Sequence, residues 1–101
     1  MSNPNEITLA EAVAMTEAYQ NDSLFADQTI AVKASNDTYL EIINQTGCVA
    51  VRSYFAKNAN GDLTLVIVGV DSNGNDMTAG KIMNHFNRCP QSCPQNSPLM
   101  P

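Results

Sequence analysis

An α+β domain is predicted by three features of the 101-residue chain. Helix-start signals are confined to its first half, two-residue hydrophobic periodicity takes over after Gly47, and Asn-Gly dipeptides at 60–61 and 73–74 mark hairpin connections. The predicted architecture is two N-terminal helices packed on a small, mainly antiparallel sheet. The order is helix, strand, helix, then a three-stranded meander, closed by a proline-rich C-terminal tail.

The first helix is announced by Thr8-Leu9-Ala10-Glu11, a capping box in which the threonine and glutamate side chains satisfy each other's orphan amides. Leu9, Ala12, Val13, Thr16 and Tyr19 then form one stripe at helical spacing, expected to cover the core, and Asn21-Asp22-Ser23 ends the helix. Leu24 and Phe25 are expected to anchor the connection that follows. Gln28 to Ala34 alternates, with Ile30, Val32 and Ala34 on one side, which predicts a short half-buried strand. Ser35, Asn36 and Asp37 are capping residues, and Tyr39, Leu40, Ile42 and Ile43 after them suit a second amphipathic helix. Gly47 stands where the end of that helix would take a left-handed residue.

Val49, Val51 and Phe55 alternate with Ala50, Arg52 and Tyr54, and after Asn60-Gly61 a second strand returns over Leu63 to Val70. Asn75 to His85 is expected as the third strand, although Met77, Ile82, Met83 and Phe86 would also fit a helical face begun at Asp76. No proline interrupts residues 5–88, which are read as one folded unit. Residues 89–101 carry four prolines and no charge, and are read as an extended or turn-like tail.

The Leu63–Val70 segment is apolar on both faces, with Leu63, Leu65 and Ile67 on one and Val66, Val68 and Val70 on the other. Helices can cover the first face. Leaving three valines wet would forfeit several kcal/mol at about 25 cal/mol per Å², comparable with the stability of a whole domain. Val66, Val68 and Val70 are therefore expected to form an interface, covered by the tail or by a second copy of the chain, since symmetric dimers are the commonest oligomers.

A net charge of −5 is the wrong sign for a phosphate backbone, so nucleic acid is excluded as a leading partner, as is an anionic membrane surface. The charge is uneven: residues 1–41 carry net −6 and residues 42–101 net +1, which reads as solvated helix faces near the N-terminus. The longest apolar run, Leu65 to Val70, is far too short to cross a bilayer. A start without a basic and apolar leader, together with an odd number of cysteines, leads to the expectation of a cytoplasmic protein.

Few residues offer chemistry. Cys48, His85, Cys89 and Cys93 make up the Cys3His ligand count of a closed zinc site, but Cys89 and Cys93 lack the two-residue knuckle spacing and Pro90 and Pro94 break any helix that would align them. A local Cys89–Cys93 disulfide with a buried Cys48 is the plainer reading, and a thiol-redox role lacks the helix start that would lower a thiolate pKa. Asp71 to Asp76 offers oxygens at alternating positions, yet has no glycine at the sixth place and Ile82 at the twelfth, so a hairpin turn explains it better than a calcium loop. One histidine with no companion carboxylate supports no triad, and the scattered glycines make no phosphate cradle. The expectation is a small non-catalytic module that self-associates, as a homodimer, or binds a protein partner, with no cofactor. The alternatives are a metal or thiol site built from the four residues above, and a folded carrier for a functional or modified C-terminal peptide.

Overall fold

The computed structural model describes residues 3–100. It contains two α-helices and small antiparallel sheets, in the order α1 (Leu9–Gln20), β1 (Ala31–Lys33), α2 (Asn36–Ile43), β2 (Ala50–Lys57), β3 (Leu63–Val70), β4 (Ile82–Met83) and β5 (Asn87–Cys89). A single 3-10 turn, Ser23–Phe25, lies between α1 and β1. No helix is long and apolar enough to cross a membrane among the described residues.

Both helices begin as their caps dictate. Thr8 accepts from the Glu11 amide while the Glu11 carboxylate accepts from the Thr8 amide, and this doubly bonded carboxyl is held below its ordinary pKa. At α2 the Ser35 hydroxyl accepts from the Thr38 amide. α2 ends at Ile43 with Asn44 as its cap, three residues before Gly47. Gly47 instead takes φ +87° inside the turn closed by the Cys48 N–H on the Gln45 carbonyl, a place where a side chain would be strained.

The meander forms with strand order β2-β3-β4, β2 and β3 pairing along their full eight residues. The two Asn-Gly turns share one geometry. Gly61 N–H donates to Asn58 C=O and Gly74 N–H to Asp71 C=O, each followed by a wider bond, Asn58 N–H to Asp62 C=O and Asp71 N–H to Asn75 C=O. Only the glycine of each pair has positive φ, so these are type I turns with a bulge, not the two-residue mirror-image turns. The third strand is shorter than Asn75–His85. The chain bridges Val70 at Asp76, leaves the ladder through a turn closed by Gly80 N–H on Met77 C=O, and returns only at Ile82–Met83. No helix forms there.

One part of the expected arrangement is corrected. β1 does not join the meander: it pairs antiparallel with β5, through Ala31·Cys89, Val32·Arg88 and Lys33·Asn87. α2 packs on the meander through β2 and β3, and α1 lies toward the β1–β5 ribbon, where the Tyr19 hydroxyl donates to the Thr29 carbonyl and Gln20 donates to the Leu99 carbonyl; Tyr19 also borders a small apolar pocket with Phe55 and Leu65. So small a ribbon cannot bury a twelve-residue helix. No α1 residue is buried, and Leu9, in its first turn, is 60% exposed. Leu24 is also exposed, while Phe25 stacks on Tyr19 with ring centroids 4.9 Å apart.

β5 runs across positions 87–89, so Cys89 belongs to a strand and is buried. The chain beyond it turns back toward α1, with Met100 Sδ lying 3.6 Å from Cys89 Sγ.

Candidate interaction surface

The faces of β3 follow from the backbone. Adding a Cβ at Gly69 would bring it against Gln45, Cys48 and Met77, so the odd-numbered residues of β3 face α2. Ile42 on α2 and Ile67 on β3 are both wholly buried, forming the centre of the core. Gln45, just past α2, ties that helix toward β4: its side-chain carbonyl accepts from the Lys81 amide at 2.8 Å, and Glu41 pairs with Lys81 at 2.8 Å. α2 therefore lies over β2 and β3 and is tied to the start of β4 through Lys81, while Phe55, further along β2, stays exposed.

Val66, Val68 and Val70 occupy the opposite face. Val68 is 3% and Val70 6% exposed, and Val66 is half-buried. Much of the cover expected from a tail or a second chain comes from β2. Arg52 stands beside Val68 and Tyr54 beside Val66, on that same face, and both side chains cross β3 to bond the two carboxylate oxygens of Asp76, which stands opposite Val70. Ile82 flanks Val68 from the other side. The result is a polar strap whose stems lie over the valines and whose heads meet at one carboxylate. Tyr54 first, and Arg52 after it, hold the Asp76 carboxyl below its ordinary pKa, while that carboxylate pushes the Tyr54 phenol up. Sequence reasoning did not find the strap. Arg52 and Tyr54 read only as the polar alternation of a strand, and Asp76 lies 22 residues beyond Tyr54.

The other singled-out residues are dispersed. Cys89 and Cys93 form a disulfide. The free Cys48 thiol lies by Gly69 and donates to the Ala50 carbonyl. His85 is exposed, at φ +61°. Among the described residues no three His, Cys, Asp or Glu side chains gather as a metal-holding group. A cleft of about 450 Å³ is polar, with Asp27, Asp62, Arg88 and Ser92 in its walls. Arg88 pairs there with Asp62 at 3.2 Å. His85 does not line this cleft.

The fold leaves several large apolar side chains uncovered, Leu9, Met15, Leu24 and Phe55 among them. The chain exposes 7536 Å², where a compact chain of 10.9 kDa exposes about 5,600 Å². Its radius of gyration is 15.4 Å, against about 13 Å for a compact domain of this length. Phe55, 84% exposed, is the largest single contribution from the meander, and Val49, just before β2, is exposed as well. β2 is also a terminal strand of its sheet.

Compared with known proteins, the chain matches no family model, no curated protein and no solved structure.

Proposed function

We propose that this protein is a non-catalytic module that works by self-association, with binding of a different protein as the alternative. The observation that carries the reading is the excess of exposed surface. About 1,900 Å² more than a compact chain of this mass would show is of the order that one subunit of a tightly associated homodimer buries. The buried apolar core is correspondingly small: Ile42, Ile67, Val68, Val70 and Cys89.

Acidic charge concentrated in the first 41 residues supports a protein, not a nucleic acid, as partner. Sedimentation velocity of the full chain across micromolar concentrations tests the proposal. A mass of two chains, dissociating on dilution, is expected. A monomer throughout, with native circular dichroism, would leave the heterologous partner as the surviving reading.

A further inference from the structure

Resting on the self-association reading, we infer that two copies of this chain join through the free edge of β2, Ser53 facing Ser53 across a two-fold axis, to make one continuous six-stranded sheet. The direction of every β2 amide can be worked out. The Met77 N–H donates to the Gly69 carbonyl and the Asn84 side-chain amide to the Leu65 carbonyl, so the odd-numbered backbone groups of β3 point to the β4 side. The even-numbered ones, from Thr64 to Val70, must then bond β2. Their partners in the register are Ala56, Tyr54, Arg52 and Ala50, and the hairpin bond from Asn58 N–H to Asp62 C=O keeps the same phase. Val51, Ser53, Phe55 and Lys57 therefore turn their N–H and C=O groups outward, and among the described residues none of these groups receives a hydrogen bond outside the sheet ladder.

This edge is guarded only at its end, by the exposed Lys57. Terminal strands are normally blunted by proline, by outward charge or by brevity. β2 has eight residues and no proline, and its central charge, Arg52, is drawn inward over β3 to Asp76. The chain's own C-terminal segment is engaged elsewhere, against Gln20 and Cys89.

A second copy fits the edge better than an arbitrary strand because of what the symmetric register brings together. An axis through Ser53 places two outward-bonding residues opposite each other, as a ladder requires. It sets Val51 opposite Phe55 of the other copy twice over, so the most exposed aromatic ring gains an apolar neighbour. On the opposite face Arg52 stands across from Tyr54, which avoids like charges. A two-fold axis normal to the sheet puts both α2 helices on one side, the same side as the two exposed Phe55 rings. The surface available matches what a dimer needs: a standard interface takes about 800 Å² from each partner, well inside the excess described above.

Two variants test this, each followed by sedimentation with circular dichroism as the check on folding. Ser53→Pro removes an amide that the single chain does not use, since proline is tolerated on a free edge, but deletes two central bonds of the dimer. Ser53→Ala keeps the amide. The expected result is a folded monomer for Ser53→Pro and an unchanged dimer for Ser53→Ala. Should the proline variant fail to fold, Phe55→Lys, at a position open to solvent in the single chain, is expected to raise the dissociation constant at least roughly tenfold. Dimers that persist in a folded Ser53→Pro, or in Phe55→Lys if the proline variant does not fold, would overturn this surface while leaving self-association intact. A wild-type chain that never dimerises would overturn both.

Discussion

The meander has two edges, and they are finished differently. At the β4 edge the ladder lasts two residues, because a turn at 77–80 lifts the chain away after Asp76. The backbone left open there is attended to: Asn84 caps the Leu65 carbonyl at 2.6 Å, Gln45 accepts from the Lys81 amide, and the Lys81 ammonium is paired with Glu41. At the β2 edge the ladder runs unbroken for eight residues and its outer row of amides is open. Side chains that might have guarded it are turned across the sheet. One edge is closed by the chain itself and the other is left unpaired, which teaches that the exposed backbone of this sheet lies on one side.

The comparison can be broken first at the strand that both edges share. Ile67→Ala removes the wholly buried side chain beneath α2, and should cost about 3 kcal/mol, within the usual 2–5 for such a truncation, read as a lower urea midpoint. Gly80→Ala acts on the closed edge. A Cβ there would run into the Gln45 side-chain carbonyl and displace it from the Lys81 amide, so a loss of about 1–2 kcal/mol is expected, with the Lys81 amide exchanging faster. Asn84→Ala should cost about 1 kcal/mol by the same readout, by uncapping the Leu65 carbonyl.

The smallest effect concerns the strap. The Asp76 carboxyl ionises at lower pH when folded than when unfolded. Its stabilising contribution is therefore complete above the ordinary carboxylate range and is lost as pH falls through the folded value. Asp76→Asn should flatten the acid limb of the stability profile, and both acid and the substitution should release Arg52 toward the β2 edge, weakening association. A profile with the wild-type acid limb would show that the strap contributes nothing.

Much of the fold was legible because it is local. The caps at Thr8 and Ser35, the doubly apolar strand at 63–70 and the glycines at 61 and 74 each announce themselves within a few residues, and each appears where its chemistry requires. The pairing of Ala31–Lys33 with Asn87–Cys89 was hidden, since three-residue strands more than fifty positions apart carry no periodic signal. The same holds for the strap. Reading the valine face as needing outside cover allowed for helices, a tail and a second chain, but not for long polar side chains laying their stems across a neighbouring strand. The open edge was unreadable for a different reason: which amides of β2 face outward depends on the phase of its bonds to β3, a property of the backbone that side-chain pattern does not record.

Amide hydrogen exchange along β2, resolved by residue and followed with protein concentration, tests the central claim most directly. At high dilution, Arg52, Tyr54 and Ala56 should be protected and Val51, Ser53 and Phe55 should exchange freely, and raising the concentration should bring the second set to the protection of the first. Free exchange at Val51, Ser53 and Phe55 at every concentration would contradict the account.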